Sequence, residues 1–235
     1  MRGVARDTVY LCVENGSLDF KGEKVNLKDD VTLICIDSID TKRADRALGF
    51  CCEKIPFKHF KLLTSLPIEK PWHVSIPYDA LNMFMVLNYY SDFCIRHLWK
   101  YFETSHCLIV QHDGWIVNPA AWRDEWLEYD YIGCVSEWSE EGVTGKGGNG
   151  GFSLRSRRLM ELAARIADET HEEDVILSHA RPRGRRDDFE SAGLKFAPNS
   201  VQRLWGYDAQ YYRGEFGHHR AQEFGPYPER CRQIV

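Results

Sequence analysis

The stretch His106-Cys107-Leu108-Ile109-Val110-Gln111 is an apolar run that leads directly into the polar turn His112-Asp113-Gly114. Its apolar residues follow one another without alternating with polar ones, which is typical of a strand that is covered on both faces. Runs of the same kind recur at residues 8–13, 31–36, 60–63 and 131–135. The chain is therefore predicted to contain several buried strands of one sheet.

Helical patterns separate these runs. In residues 40–52, small or apolar side chains fall on one helical face, namely Ala44, Ala47, Leu48 and Cys51. Residues 79–102 are predicted to contain at least one helix, and a clear amphipathic helix begins at about Ser156. Alternating strands and helices predict an α/β fold with a mostly parallel central sheet flanked by helices. No convincing linker interrupts the pattern, so residues 1–235 are predicted to form a single domain.

The composition is that of an ordinary globular protein, with 43% hydrophobic residues, 28% charged residues and a formal net charge of -5. A negative chain lacks the basic field that neutralises nucleic-acid phosphates, so nucleic-acid binding is not expected. The 8 cysteines include no Cys-x-x-Cys pair, which favours reduced thiols in the core over a zinc cluster. The N-terminal residues lack the apolar core of a signal peptide, and no apolar run approaches the length of a membrane span. A cytoplasmic protein is therefore expected.

Polar residues follow each of the first four predicted strands. Ligands of parallel α/β sheets bind beyond the carboxyl ends of the strands, so these residues are candidates for ligand contacts. They are Glu14 and Asn15 after the first strand, residues 37–40 after the second, Thr64 and Ser65 after the third, and residues 111–114 after the fourth. Polar strand ends are also ordinary solvent-facing loops, and both interpretations stay open.

Asp113 and the late histidines are candidate metal ligands. Hard cations such as Mn²⁺ and Mg²⁺ prefer oxygen ligands, and substrate phosphates often complete their coordination. A structural alternative for Asp113 is that it caps its own turn. His218 and His219 are adjacent, so their side chains diverge and one metal ion cannot easily bind both; a single histidine is otherwise commonly structural.

Residues 146–155, Lys-Gly-Gly-Asn-Gly-Gly-Phe-Ser-Leu-Arg, are rich in glycine and lead into a short predicted strand. Glycine lets a bulky ligand approach the main chain, so this segment suits the floor of a site for a polyhydroxylated substrate. The alternative is a flexible loop. At the end of the segment, Arg155 either binds a phosphate or pairs with Asp130 as a structural brace.

An acidic cluster, Glu172-Glu173-Asp174, opens the next predicted helix. Thr170 and Glu173 fit a capping box, in which the threonine is the N-cap residue and the glutamate bonds back to it. That structural role for Glu173 leaves Asp174 as the candidate general base, because the N-terminal end of a helix keeps a carboxylate ionised.

Taken together, five ordered motifs resemble those of a glycosyltransferase-like domain family with the GT-A fold. They stand at residues 111–113, 128–133, 148–155, 173–175 and 216–219. The resemblance implies a glycosyltransferase that moves a hexosyl or pentosyl group from a nucleotide sugar, foremost a UDP-sugar, to a hydroxyl group of a glycan or another acceptor. It also implies a divalent metal ion, Mn²⁺ or Mg²⁺, on the donor diphosphate. The N-terminal half would bind the donor, and about residues 140–235 would form the acceptor side.

The same resemblance implies roles for individual residues. GT-A enzymes usually bind the metal with an Asp-x-Asp motif; here Gln111 replaces the first aspartate, which leaves Asp113 as a ligand together with His219. Asp174, or as second choice Glu173, would deprotonate the acceptor hydroxyl, and a single base implies inversion at the anomeric carbon. The implied donor-binding residues are Glu14, Asn15, Asp40, Arg43, Gln111, His112 and Asp113. The implied acceptor-side residues are Asn149, Gly150, Gly151 and Phe152.

Three other functions stay open. Gln111 in place of a carboxylate favours a module that binds a sugar or nucleotide without turnover. Asp113, His112 and the late histidines could serve a metal-dependent hydrolase or nucleotidyltransferase, although the histidines lack the His-Glu-x-x-His spacing. Finally, the acidic pair could simply cap a helix in a structural protein.

Overall fold

The computed structural model describes residues 30–77, 83–135, 148–167, 172–208 and 214–220. The predicted strand at residues 8–13 and the candidate donor residues Glu14 and Asn15 lie outside these ranges, as does Thr170.

The strands of the described residues form two sheets. Their bounds are β1 (Val31–Ile36), β2 (Phe60–Thr64), β3 (His73–Ser75), β4 (His106–Val110), β5 (Trp115–Ile116), β6 (Tyr131–Cys134), β7 (Asn149–Ser156), β8 (Gly206–Asp208) and β9 (Gly217–His219). Within this part of the chain, a central sheet has the order β3-β2-β1-β4-β7-β6 and a small sheet has the order β5-β9-β8. Strands β1 to β4 run parallel to one another, and β7 runs antiparallel to both of its neighbours.

Helices connect and cover these strands. Their bounds are α1 (Thr41–Lys54), α2 (Met83–Arg96), α3 (Arg157–Ile166), α4 (Glu173–Ser178), α5 (Arg186–Ser191) and α6 (Asn199–Trp205). Short 3₁₀ turns lie at Leu98–Tyr101, Pro119–Ala121 and Asp124–Glu128. Ser156 is the N-cap residue of α3, where its hydroxyl accepts a hydrogen bond from the main-chain N–H of Leu159 at 3.1 Å.

The continuous apolar runs have a direct structural reason, because both faces of the sheet are buried. In β1, the side chains of Val31, Leu33 and Cys35 pack in a core cluster with α1 and the small sheet. The alternate residues Ile34 and Ile36 pack in a second cluster with α2, α3 and α4. Since side chains of a strand alternate between faces, a strand covered on both sides is apolar at most of its positions. The predicted α/β fold, with a mostly parallel central sheet flanked by helices, is confirmed.

The glycine-rich segment differs from the flexible-loop alternative. Its residues from Asn149 onward form β7, which pairs Phe152 with Val110 of β4. Gly150 and Gly151 are therefore strand residues in the described structure, held between β4 and β6 in the central sheet.

The predicted capping box at the start of α4 is wrong. The helix begins at Glu173 and its N-cap residue is Glu172, two residues after Thr170. The side chain of Glu173 binds partners from other elements, Arg155 of β7 and Ser91 of α2, so it does not turn back to cap its own helix. Tertiary contacts outweigh the local capping signal here.

Among the described residues, none of the helices combines the length and the apolar character that crossing a membrane requires.

Candidate functional site

The carboxyl ends of β1, β2 and β4 meet at one edge of the sheet, as the strand-end argument predicts. Asp37 follows β1, and its Oδ2 lies 3.6 Å from Nδ1 of His112, which follows β4. The hydroxyl of Ser38 accepts a hydrogen bond from the main-chain N–H of Ser65, which follows β2, at 2.9 Å. His112 keeps a substantial exposed surface, with 38% of its side chain accessible, so it can contact a ligand at this edge.

Asp40 and Arg43 lie at the start of α1 beside that edge. The carboxylate of Asp40 is the N-cap of the helix and accepts hydrogen bonds from the N–H groups of Lys42 at 3.1 Å and Arg43 at 3.2 Å. This gives Asp40 a structural function of its own, because an N-cap satisfies donors that the helix leaves unpaired.

A buried cluster around His219 forms where β9 passes β7. Nε2 of His219 lies 3.0 Å from Oε1 of Gln111 and 3.5 Å from Oδ1 of Asp113. Nδ1 of the same ring lies 2.9 Å from Oδ1 of Asp208. The structure thus brings together three of the predicted residues, Gln111, Asp113 and His219, and adds Asp208.

The local sequence explains how the cluster closes. Residues 111–114 turn tightly, with the N–H of Gly114 bonded to the carbonyl of Gln111 at 3.1 Å. A Cβ atom at Gly114 would stand 3.0 Å from the carbonyl oxygen of His218 and 3.3 Å from the ring of His219. Glycine at this position therefore lets β9 approach the turn closely enough for the histidine to reach Asp113.

The donor atoms of this cluster are compatible with a hard cation. Within the described part of the chain, Oδ1 of Asp113 is buried and accepts no hydrogen bond. It lies beside one imidazole nitrogen and one amide oxygen, and N and O donors of these kinds bind Mn²⁺ and Mg²⁺. No group of three or more histidine, cysteine, aspartate or glutamate side chains in the described ranges is arranged to hold a metal ion. The third donor at this point is the neutral amide of Gln111.

Gly150 and Gly151 make room for different neighbours on the two sides of β7. A Cβ atom at Gly151 would stand 2.0 Å from Nε2 of His219. A Cβ atom at Gly150 would stand 2.5 Å from Oε1 of Glu173 and 2.7 Å from Nη2 of Arg155. The space beside both glycines is thus filled by the protein's own polar side chains.

The other two residues predicted on the acceptor side, Asn149 and Phe152, make contacts with other residues of the protein. Oδ1 of Asn149 accepts a hydrogen bond from the N–H of Gly151 at 2.7 Å. The ring of Phe152 is fully buried against Trp205 and Phe216, with ring centroids 5.2 Å and 6.0 Å away. Phe152 therefore belongs to the core, and any contact with a ligand would have to come from its main chain.

Arg155 and Glu173 form a buried ion pair. Nη2 of Arg155 donates to Oε1 of Glu173 at 2.8 Å, and the arginine side chain is completely buried. Burial lowers the pKa of Arg155, but the Glu173 carboxylate reverses this effect and the net pKa is well above its usual range. The predicted pairing of Arg155 with Asp130 is wrong, because Asp130 pairs instead with Arg158 at 2.6 Å.

Asp174 is held differently from its neighbour. Its Oδ2 accepts a hydrogen bond from the N–H of Gly150 at 3.0 Å, and its Oδ1 accepts one from the N–H of Val175 at 2.8 Å. Burial, followed by repulsion from the Glu173 carboxylate, raises the pKa of Asp174 from 3.8 to about 6. The residue as a whole is only partly buried.

Sequence reasoning missed Asp208 as a site residue and missed the partner of Arg155. Asp208 stands in a short strand without a strong local pattern, and it is close to Gln111 only because β8, β9 and β4 are brought together by the fold. Asp174 of α4 likewise accepts a hydrogen bond from a different element, since the donor is the N–H of Gly150 in β7.

Residues 76–219 match the sequence family described as Protein of unknown function (DUF5672), and this segment is more than half of the chain. The chain belongs to the DUF5672 family. The matched segment includes Gln111, Asp113, Asp174 and His219, whereas Asp40 and Arg43 lie before it. The family therefore spans both the histidine cluster and the acidic pair.

No curated protein matches the chain. Among solved structures, the fold is similar to the mannosyltransferase PcManGT from Pyrobaculum calidifontis, in complex with GDP-Man and Mn²⁺, at 9% identity and a TM-score of 0.41. The similarity covers 73% of this chain and 59% of that one, so the chain spans about three fifths of the length of the structure that it matches. A similarity this low says nothing about the donor, metal or acceptor of the DUF5672 chain.

Proposed function

We propose that the protein is a glycosyltransferase that transfers a sugar from a nucleotide-sugar donor to an acceptor hydroxyl with inversion. The observation that carries the proposal is Asp174, a carboxylate of a partly buried residue whose pKa is raised to about 6 beside Gly150. A base of this strength is ionised at neutral pH and is more basic than an ordinary aspartate, which suits it to accept a hydroxyl proton.

The proposed step has one base and one displacement. The acceptor oxygen gives its proton to Asp174 and forms a bond to the anomeric carbon, while the bond from that carbon to the diphosphate oxygen breaks and its electron pair leaves with the diphosphate. Glu173 does not compete for this role, because its carboxylate is committed to Arg155 at 2.8 Å. Asp174 is therefore the first choice as base and Glu173 the second.

The donor diphosphate is proposed to lie at the histidine cluster. Asp113 Oδ1, His219 Nε2 and Gln111 Oε1 would hold a divalent cation, Mn²⁺ or Mg²⁺, and His112 would contact the donor beside them. When bound, such an ion offsets the negative charge that develops on the leaving diphosphate. We propose a UDP-sugar as the donor, with a hexosyl or pentosyl group to transfer.

The two proposed parts lie against consecutive residues of β7. A Cβ atom at Gly150 would meet the acidic pair and one at Gly151 would meet His219, so the proposed base and the proposed donor site lie on opposite sides of this strand. Asn149, Gly150 and Gly151 would line the acceptor side through their main chain. We also propose a single domain over residues 1–235, with the donor side in the N-terminal half and the acceptor side at about residues 140–235.

The deciding experiment is the variant Asp174→Asn. Without a base, transfer is expected to fall by about 10²- to 10⁴-fold, while binding of the nucleoside diphosphate persists. Product formation from UDP-sugars with Mn²⁺ gives the first quantity, and a thermal-shift titration with UDP gives the second.

Glu172→Gln is the matched control, because Glu172 is an exposed acid directly before Glu173 in the sequence. It should retain full transfer. Unchanged transfer in Asp174→Asn would show that Asp174 is not the general base. Tight binding of nucleotide sugars by the wild-type protein without any sugar release would instead support a binding module.

A further inference from the structure

Strand β7 contains a bulge at its glycine-rich start. Between its pairings with Cys134 and Ile132 of β6, strand β7 has residues 150–153 where β6 has a single residue. The pairing of β7 with β4 begins only at Phe152. In the registers of the described strands, Gly150 therefore has no partner residue, and its main-chain groups are bonded in another way.

Side chains hold the main chain of Gly150 in place of the sheet. Its carbonyl oxygen accepts hydrogen bonds from the hydroxyl of Ser153 at 2.7 Å and from Nη2 of Arg155 at 3.1 Å. Its N–H donates to Oδ2 of Asp174 at 3.0 Å. Side chains of β7 thus fix the residue whose N–H binds the carboxylate of the proposed base.

Ser153 joins these contacts to one another. Besides donating to Gly150, its hydroxyl accepts a hydrogen bond from Nε of Arg155 at 2.9 Å. A guanidinium only donates and a carbonyl only accepts, so the single proton of the hydroxyl belongs to the bond with Gly150. Ser153 and Arg155 are both fully buried, and Arg155 is bonded to Glu173 at 2.8 Å. The hydroxyl therefore holds the Gly150 carbonyl and the guanidinium in one fixed arrangement.

We propose that Ser153 is a positioning residue that orients Asp174 through the main chain of Gly150. A bulge beside a reacting group commonly serves to re-aim a side chain. Here the bulge aims a main-chain N–H at a carboxylate, and the hydroxyl of Ser153 keeps the bulge in shape. The inference rests on the proposed function, in which Asp174 is the general base, and adds the residue that directs its carboxylate.

The hydrogen bond from Gly150 has an electrostatic consequence for Asp174. Burial and the Glu173 carboxylate raise the pKa of Asp174 to about 6, and the N–H of Gly150 acts in the opposite direction because it stabilises the ionised form. Loss of that bond should therefore raise the pKa of Asp174 further.

The elements near α4 contribute charged and titratable side chains, and near pH 6 only some of these are charged. They are Glu173 of α4 itself, Arg155 of β7, Tyr131 of β6, Tyr90 of α2 and Arg186 of α5. Burial raises the pKa of both tyrosines well above its usual range, so they stay neutral near pH 6. Arg155 pairs with Glu173, and Arg186 pairs with Glu190 at 2.7 Å. Ser153 is uncharged, so its substitution acts on Asp174 through the contacts that the hydroxyl holds.

The first test follows the amide of Gly150 by NMR of glycine-labelled protein and needs no substrate. In the wild type, this N–H signal should shift with pH with a midpoint of about 6, because the amide reports the ionisation of its acceptor. In Ser153→Ala the midpoint should rise by about one pH unit, since a hydrogen bond to a charged group is weakened. An unchanged midpoint in Ser153→Ala would overturn the proposal.

Ser156→Ala is the matched control for this titration. Ser156 is a buried serine of the same strand, but its hydroxyl donates to Asp130 and caps α3. The variant loses a hydroxyl and some stability, and its Gly150 midpoint should stay at the wild-type value. Equal shifts in Ser153→Ala and Ser156→Ala would mean that β7 is merely loosened, and the specific role of Ser153 would be refuted.

The second test measures transfer kinetics. Ser153→Ala should lower kcat about tenfold, because a small displacement of a reacting group slows the reaction strongly. The KM for the nucleotide sugar should not change, since the donor is proposed to bind at the histidine cluster. The acid limb of the pH profile of kcat should move upward by the same amount as the amide midpoint.

This inference and the proposed function can fail separately. If Asp174→Asn keeps full transfer, Asp174 is not the general base, and the amide titration still decides whether Ser153 orients its carboxylate. If Asp174→Asn loses transfer while Ser153→Ala keeps the wild-type kcat and pH profile, Asp174 stands as the base and the role of Ser153 fails.

Discussion

The acidic pair at the start of α4 and the histidine cluster at the end of β9 lie against consecutive glycines of β7. Each region contains two carboxylates whose surroundings differ. In the acidic pair, Glu173 forms an ion pair with the buried Arg155, whereas Asp174 beside it accepts hydrogen bonds from two main-chain N–H groups. In the cluster, Asp208 is paired with His219, whereas Oδ1 of Asp113 accepts no hydrogen bond from the described residues.

Each region thus has one carboxylate that stabilises the fold and one whose charge is less well compensated. The difference lies in what surrounds the second carboxylate. Asp174 stands beside another carboxylate, and together with burial this raises its affinity for a proton. Asp113 stands beside an imidazole nitrogen and an amide oxygen, and donors of these kinds are among those that bind Mn²⁺ and Mg²⁺. In the proposed function, the first region transfers the proton and the second region binds the cation.

The largest effect is expected from removing the charge of the compensated acid. Glu173→Gln would leave the guanidinium of Arg155 buried without this counter-charge. Nη2 of Arg155 lies 2.8 Å from Oε1 of Glu173, and the arginine is fully buried. Breaking a buried ion pair on one side costs about 3 to 5 kcal/mol of unfolding free energy. Urea denaturation of the variant and the wild type measures this difference.

Glu172→Gln is the control for that loss, since the neighbouring acid is exposed. Its unfolding free energy should stay within about 0.5 kcal/mol of the wild type. Equal stabilities of Glu173→Gln and Glu172→Gln would show that Glu173 is not a structural acid, and the contrast with Asp174 would disappear.

A smaller effect of opposite sign is expected for Asp174→Asn. The folded-state pKa of Asp174 is raised to about 6 from 3.8, so the folded protein binds this proton more tightly than the unfolded chain. The corresponding stabilisation is fully present below the unfolded value and is lost as the pH rises through the folded value. Asparagine, which carries no charge, should therefore stabilise the protein by about 1 to 3 kcal/mol above about pH 7.

That gain should shrink as the pH falls and vanish only below the unfolded-state pKa of 3.8, at about pH 3, where the wild-type carboxyl group is protonated in both states. Thermal melting of both proteins across this pH range provides the measurement. A gain that does not change with pH would mean that the substitution acts through packing and that the pKa of Asp174 is not raised.

The features that follow from local sequence were predictable. A strand buried on both faces needs apolar residues at most positions, and this is visible in Val31–Ile36 and His106–Val110, which contain one polar residue each. The parallel order of β1 and β4 then brings Asp37 and His112 to one edge, because parallel strands end at the same side of a sheet.

The features that depend on distant partners were not predictable in the same way. The capping box at Thr170 and Glu173 is a local signal, but Arg155 and Ser91 bind the glutamate from other elements. A buried charge needs a counter-charge more than a helix needs its cap, since an unpaired buried ion costs several kcal/mol and a lost cap costs about 1 kcal/mol. The contact of Asp208 with His219 likewise depends on the register of β8 with β9.

The smallest predicted effect concerns the two glycines of β7, Gly150 beside the acidic pair and Gly151 beside the histidine cluster. A Cβ atom at residue 151 would stand 2.0 Å from Nε2 of His219, so Gly151→Ala must displace the ring from Asp113 and Gln111. We expect the variant to bind Mn²⁺ about tenfold more weakly, a change of about 1.4 kcal/mol. Electron paramagnetic resonance of the free ion measures the affinity directly.

Gly150→Ala is the informative partner of that variant. Its Cβ atom would stand 2.5 Å from Oε1 of Glu173 and not against the histidine, so it should disturb the acidic pair and leave Mn²⁺ affinity unchanged. Gly49→Ala in α1 provides the neutral control, because a Cβ atom there meets no described atom within 4 Å. Should both β7 variants weaken Mn²⁺ binding equally, the acidic pair and the histidine cluster would be one coupled site, and separate roles for Asp174 and Asp113 could not be maintained.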